Sequence, residues 1–377
     1  MRRESCIRSS LKVACWALFL GVCGTAWGDP PEPYELLEDT AFAEGFGASW
    51  NYGRKFTLHP TRREGKATEY RDISPWQVFL IPDGPVSKVG VKEHPWDFDE
   101  GLHHNFNDRF GNHVRELHAH RLVVNHKVEI NTPDKLQFAQ FNNYRLKRDD
   151  PNRNKRLVKR ITTDRQGTIR LYYNTQNDIR NAATAHTAKW ARDTWPHLLL
   201  NQSFDTLPRL RDIDRLDLKL DFQVHQIRRL SNWPGVNRSS MNWKFMFFLR
   251  GIDDPNQKLF AGMMLQSSRE SNYKPHVGVD QHGTVFYRDS IAEYRSPPKM
   301  GERCTVHREI RSLIVDALKA AKAKQPHLSA DPDDYYLFNF TIGWEGLGHW
   351  EADGEVSNLS LCVTPIEPAG ERAEQRR

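Results

Sequence analysis

The stretch DYYLFNFTIGWEGLGHWEADGEVSNLSLCV, Asp334 to Val363, reads as two β-strands joined by a turn rich in aromatic and acidic residues. Tyr336, Phe338, Phe340, Ile342 and Trp344 alternate with Leu337, Asn339, Thr341, Gly343 and Glu345. A period of two places the aromatic series on one sheet face. Glu345 is therefore expected to point away from the core.

Working outward, the same alternation recurs upstream. Leu216, Leu218, Leu220, Phe222 and Val224 alternate with Asp217, Lys219, Asp221, Gln223 and His225, as in a half-buried strand. Met241, Trp243, Phe245, Phe247 and Leu249 repeat the pattern. Shorter apolar runs at 259–266, 277–279 and 284–288 are separated by Asp253-Asp254-Pro255-Asn256 and by Asp280-Gln281-His282-Gly283. Such Asp, Asn, Pro and Gly clusters suit hairpin turns, so an antiparallel meander is expected. Earlier strands are expected at 77–81 and 136–146, followed by a hairpin over 157–173. A short helix is expected near 182–190. From Val306 to Lys324, Ile310, Leu313, Ile314, Ala317, Leu318 and Ala321 fall on one helical stripe, with Thr305 as the expected N-cap and Pro326 just past the end.

Many short strands and one late amphipathic helix select an all-β fold, a jelly-roll β-sandwich with long loops, over an α/β arrangement. Residues 29–130 read as a loop-rich N-terminal portion of the same domain, 131–366 as the sandwich and 367–377 as a polar, disordered tail.

Residues 1–28 carry Arg2, Arg3, Arg8 and Lys12, an apolar run from Val13 to Val22, and small residues at Gly24, Ala26 and Gly28. This is the pattern of a signal peptide, and it implies secretion or a periplasmic location. The run is too short to span a bilayer, so no stable membrane insertion is expected. Its removal leaves Cys304 and Cys362, which are expected to form a disulfide in an oxidising compartment. The chain has 54 basic and 48 acidic side chains, and the leader carries four of the bases and one of the acids. So slight an excess excludes a nucleic-acid partner. The basic run at 147–160 is broken by Asp149, Asp150 and Pro151 and reads as a solvated loop.

The order amphipathic helix, Tyr-Tyr-Leu strand, Ile342-Gly343-Trp344-Glu345-Gly346, acidic turn and final strand resembles the C-terminal end of the concanavalin-like glycoside hydrolases of families 11 and 12. These are jelly-roll xylanases and endoglucanases. The resemblance covers 305–363 and implies a general acid/base role for Glu345. It also implies a nucleophilic Glu in a Glu-x-Met-Ile-Trp-Leu strand, but the corresponding run is Lys244-Phe245-Met246-Phe247-Phe248-Leu249, with Lys244 where the carboxylate belongs. A retaining glycosidase needs two carboxyl groups about 5 Å apart. Asp280, Asp289, Glu270, Glu351 and Asp353 are the alternatives for the second.

Two further groups suit other chemistry. Seven of the sixteen histidines lie between His94 and His126, and His118 and His120 would share a strand face. That pair lacks the flanking Gly and Glu of a cupin metal site, so no metal is assigned. A His or Tyr base beside Arg or Lys is what β-elimination from a uronic acid requires. Tyr273, Lys274 and His276, with Gln266 and Arg269, form a second such set. Trp233, Trp344 and Trp350 fall at expected turns or strand ends, where indole faces can stack on sugar rings. Lys244 and Gln266 complete the expected binding residues.

No Ser/His/Asp elbow, phosphate loop, zinc cysteine pattern or dinucleotide fingerprint occurs. The expectation is a secreted, monomeric protein that acts on or binds a poly- or oligosaccharide. It would be glycoside hydrolase-like, with a polysaccharide lyase or a non-catalytic carbohydrate-binding protein as alternatives. No cofactor is expected, calcium being left open.

Overall fold

The computed structural model describes residues 32–43, 46–50, 55–58, 68–69, 76–81, 97–99, 123–132, 134–142, 150–152, 155–177, 197–204, 206–231, 239–269, 273–280, 283–289 and 298–366. Their strands, numbered in chain order, begin with β1 (Tyr34–Glu35), β2 (Phe46–Trp50), β3 (Lys55–Leu58), β4 (Thr68–Glu69), β5 (Trp76–Ile81) and β6 (Asp97–Asp99). Next come β7 (Val123–Thr132), β8 (Lys135–Asn142), β9 (Leu157–Thr163), β10 (Ile169–Asn174), β11 (His197–Ser203), β12 (Ile213–Ser231) and β13 (Ser240–Gly251). The remainder are β14 (Lys258–Ser267), β15 (His276–Val279), β16 (Val285–Asp289), β17 (Arg303–Glu309), helix α1 (Ile310–Lys324), β18 (Tyr335–Leu347) and β19 (His349–Pro365).

Two sheets result. One runs β17-β12-β19-β10-β9-β8-β7-β6, with β1 beside β19; the other runs β15-β16-β14-β13-β18-β11-β5-β2-β3-β4. They pack face to face as an all-β sandwich of the jelly-roll type. Leu218, Leu220 and Phe222 of β12, Leu171 and Tyr173 of β10 and Leu361 of β19 fill the space from one side. Trp243, Phe245 and Phe247 of β13 and Phe340, Ile342 and Trp344 of β18 fill it from the other. The indoles of Trp243 and Trp344 meet edge to face with centroids 4.5 Å apart. Trp344 Nε1 donates across the sandwich to the Leu171 carbonyl at 2.9 Å, and Gly354 lies where a Cβ would come within 2.3 Å of the Trp243 ring.

The helical stripe is buried as expected, at Ile310, Leu313, Ile314, Ala317, Leu318 and Ala321. The helix begins later than its periodicity suggested. Val306 to Glu309 belong to β17, and Glu309, not Thr305, caps the helix, its carboxylate accepting from the Arg311 and Ser312 amides.

The expected meander is also corrected. β12 and β13 lie in different sheets, and β14 pairs with β16 in parallel, Leu259 opposite Val285. The turns at 253–256 and 280–283 do join hairpins, β13 to β14 and β15 to β16.

Aromatic alternation along β18 breaks midway. The register against β13 slips between Phe248↔Asn339 and Leu249↔Leu337, a β-bulge that gives Phe338 the extra position. Phe340, Ile342 and Trp344 therefore face the core together with Leu337 and Tyr335, whereas Phe338 and Tyr336 turn to the opposite face.

Cys304 and Cys362 are free thiols. They flank β12 on opposite edges, Cys304 opposite Phe222 and Cys362 opposite Asp217, five residues apart along that strand. Two strand spacings, about 10 Å, and roughly 16 Å along the strand separate them. A disulfide tolerates a Cα separation of at most about 7 Å.

Candidate functional site

β13 exposes one side of its pleat to the core and the other to the outer face of the ten-stranded sheet. Strand register assigns that outer face residue by residue. His197, Glu345, Asn242 and Ser267 form one cross-strand row, and Leu199, Gly343, Lys244 and Met264 the next. Asn201, Thr341, Met246, Gly262 and Arg288 follow, and then Ser203, Asn339, Phe248, Phe260 and Phe286. Two of these rows have glycines on their floor. At Gly262 a Cβ would lie 2.0 Å from the Phe245 carbonyl oxygen, so the close approach of β13 to β14 requires glycine.

Lys244 and Glu345 form an ion pair diagonally across β13 and β18, both side chains about one-fifth exposed. Beside them Ser267 Oγ donates to Asn242 Oδ1 at 2.8 Å. Arg288 also feels the Glu345 charge. Burial pushes its guanidinium pKa down, and the carboxylate opposes that shift. Its Nη2 reaches the Lys274 carbonyl at 3.5 Å, and its buried Nε has no hydrogen-bond partner.

The fourth row is aromatic. Phe248 stacks on Phe260 at 4.7 Å, and Phe338 meets Phe248 edge to face at 5.5 Å. Arg250 lies over the Phe338 ring at 5.2 Å. At the other end His276 approaches Phe286 at 5.6 Å. All four phenylalanines are partly exposed.

The sequence-derived candidates divide into several groups. Glu345 and Lys244 share the outer face. Trp344 is fully buried in the core and Trp350 nearly so, its Nε1 held by Ser239 Oγ and the Leu347 carbonyl, both at 2.9 Å. Neither indole offers a face to a sugar, which corrects their assignment as binding residues. Gln266 lies opposite Trp243, on the core side of the pleat, where its amide donates to the Pro298 carbonyl at 3.1 Å. Tyr273 is fastened to the Ser267 backbone, accepting from its amide at 2.7 Å, and burial raises its pKa. That shift disfavours the phenolate a base would need. Arg269 is partly exposed, its backbone amide donating to Ser267 Oγ. His118, His120, Trp233, Glu270, the leader, the expected 182–190 helix and the tail lie outside the described residues.

The other carboxylates proposed as partners of Glu345 are engaged elsewhere. Asp289 pairs with Arg308, and Asp280 accepts from the Thr284 amide in the β15–β16 turn. Glu351 holds Tyr172, Gln226 and Arg228 on the nine-stranded sheet, where Asp353 pairs with Arg170. On β11, β13, β14, β15, β16 and β18, Glu345 is the one carboxylate whose position in the register faces outward. Among the described residues, no group of three or more His, Cys, Asp or Glu could hold a metal ion.

Sequence reasoning missed the phenylalanine row, Arg250 and Arg288. A signal was present: Phe248 and Phe260 occupy the out-of-phase positions of strands whose core faces were already filled.

The class these features define is an all-β, two-sheet sandwich of the jelly-roll type. No protein-family model matches the chain, and no curated protein matches it. Among solved structures it is similar to the endoglucanase cel12A from Rhodothermus marinus, at 9% identity over 61% of this chain and 92% of that one, with a TM-score of 0.32. The xyloglucanase domain of NopAA, a type three effector from Sinorhizobium fredii, gives 9% identity, 64% and 92% coverage and a TM-score of 0.32. The family 11 xylanase from Neocallimastix patriciarum gives 10%, 63%, 95% and 0.32. These matches are a weak resemblance to jelly-roll glycoside hydrolases of families 11 and 12.

Proposed function

We propose that this protein binds a polysaccharide on the outer face of its ten-stranded sheet and does not hydrolyse it. The observation that carries this reading is the partly exposed row Phe338, Phe248, Phe260 and Phe286 lying directly beside rows of amide, hydroxyl and charged groups. A sugar ring presents C–H faces to aromatic rings and hydroxyl edges to hydrogen-bonding groups, so it needs both chemistries on one surface. Thr341 and Asn339, both partly exposed, lie in those rows as hydroxyl and amide groups for the hydroxyl edges.

The same geometry argues against hydrolysis. Retaining and inverting glycosidases both work with two carboxyl groups, about 5–5.5 Å or 6.5–9.5 Å apart. Here the neighbour of Glu345 is an ammonium. Export through the leader at 1–28 belongs to the proposal, as does a monomeric state. No helix among the described residues is long and apolar enough to cross a membrane.

The test is affinity electrophoresis of the purified protein in gels containing neutral or acidic polysaccharides, with reducing ends and unsaturated uronates assayed in parallel. Retention without either product is expected. Reducing ends that vanish in Glu345→Gln would replace this reading with hydrolysis. Unsaturated uronates would replace it with elimination.

A further inference from the structure

The charge on the sugar follows from a balance that is not even. At outward positions of β11, β13, β14, β16 and β18 stand Lys244, Arg250, Lys258 and Arg288, against Glu345 alone. Glu345 is already paired with Lys244. Among the described residues of these strands, the two arginines therefore have no carboxylate of their own on this face, and both leave a buried Nε without a hydrogen-bond partner.

Both arginines are nevertheless partly exposed, and the terminal N–H groups of a guanidinium can hold a planar anion by two parallel hydrogen bonds. Arg250 and Arg288 also bracket the aromatic row. Arg250 sits over Phe338 at one end. At the other end, Arg288 follows Phe286 by two residues on β16 and occupies the adjacent row. A chain lying along the phenylalanines would bring groups at two separate sugar units within reach of the two arginines.

We propose that the ligand is an anionic glycan, whose carboxylate or sulfate groups are held by Arg250 and Arg288 while its rings lie on Phe338, Phe248, Phe260 and Phe286. This rests on the polysaccharide-binding reading above and narrows it. Burial pushes the Arg288 pKa down, and the Glu345 charge opposes that shift without cancelling it. Carboxylate and sulfate share the chemistry the arginines recognise, and the experiment separates them.

The experiment uses affinity gels containing polygalacturonate, alginate or hyaluronan as carboxylate polymers, carrageenan as the sulfated one, and methyl-esterified polygalacturonate, xylan and hydroxyethyl cellulose as neutral ones. Retention by a carboxylate polymer or by carrageenan, weakening by about tenfold or more on methyl esterification or desulfation, is expected, since loss of one charge-assisted contact is of that size. Retention should also fall as salt is raised. Arg288→Gln and Arg250→Gln should each lose about tenfold in affinity, with Arg288→Lys recovering part of it, because an ammonium keeps the charge but not the fork. Thermal melts establish that the variants are folded, and the esterified polymer tests the idea without any variant. Equal retention by charged and neutral polymers would overturn the anionic assignment and leave glycan binding standing. No retention by any polymer would overturn both.

Discussion

Lys244 and Glu345 are ion-paired on the outer face of the ten-stranded sheet although they are not register partners, Lys244 standing opposite Gly343 and Glu345 opposite Asn242. Position 343 itself requires glycine, because its φ is +148° and a Cβ there would lie 2.3 Å from the Leu198 carbonyl oxygen. A cation so placed neutralises the one carboxylate that the C-terminal resemblance would make catalytic.

Removing either partner leaves the other partly buried and unpaired. Glu345→Gln and Lys244→Met should each cost about 1–3 kcal/mol of stability, and the double variant should cost less than the two together. Denaturant midpoints of the four proteins measure the coupling. A double variant no better than the sum would mean that the pair contributes nothing to the fold.

The thiols give an independent check on topology. Cys304 and Cys362 lie on opposite sides of β12, so alkylation after unfolding without a reductant should modify both, and peptide mass spectra should show no bridge between them. In the folded protein the reaction should be slow at neutral pH and accelerate as pH rises. Burial raises both thiol pKa values, helped by Glu302 at Cys304 and by Glu35 and Asp217 at Cys362, and the thiolate is the reacting species.

Two phenols set an alkaline limit. Burial pushes Tyr172 and Tyr335 up to about 12; Tyr172 donates to Glu351 at 2.8 Å, and the Tyr335 hydroxyl lies 2.9 Å from Gln257 Oε1. An unfolded tyrosine titrates near 10. The folded state therefore holds these protons more tightly, and their stabilising contribution is complete below about pH 10 and lost as pH rises towards 12. Phenolate absorbance should show a late titrating fraction that coincides with unfolding, and Tyr172→Phe should make that fraction smaller. A titration complete near pH 10 in the still-folded protein would contradict the burial of both rings.

Much of this architecture was legible because burial imposes a period on the chain. The core side of β12, the first half of β13 and the stripe of α1 follow directly from alternate or helical spacing. What spacing cannot show is a pairing defect. The bulge at Phe338 inverts the phase of half of β18, so Tyr336 and Phe338, in step with Trp344 in the sequence, lie on the opposite face. Nor does spacing reveal which sheet a strand joins. β12 and β13 are consecutive yet fall in different sheets, and the cysteines that sequence alone would bridge are held apart by β12 itself. The tryptophans misled for a related reason. A position next to a turn reads as surface, but Trp344 packs against Trp243 beneath the sheet, and Trp350 is closed over by Ser239 and Leu347.

That contrast between tryptophan and phenylalanine supplies the sharpest separation of fold from function. Trp344→Phe removes the indole that fills the space between the sheets and donates to Leu171, so it should cost about 2–4 kcal/mol of stability. It should leave glycan retention unchanged at temperatures where the variant is folded, because the ring never reaches the outer face. Phe260→Ala removes a ring in the middle of the outward row, stacked on Phe248. Its part of the binding should fall by about tenfold, the equivalent of one aromatic contact of roughly 1–1.5 kcal/mol, with a smaller change in stability than at Trp344. Melting curves and affinity gels on the same two variants decide the matter. If Trp344→Phe weakened binding in its folded state while Phe260→Ala did not, the ligand would have to lie somewhere other than on the phenylalanine row, and the outer face of the ten-stranded sheet would lose its claim to be the site.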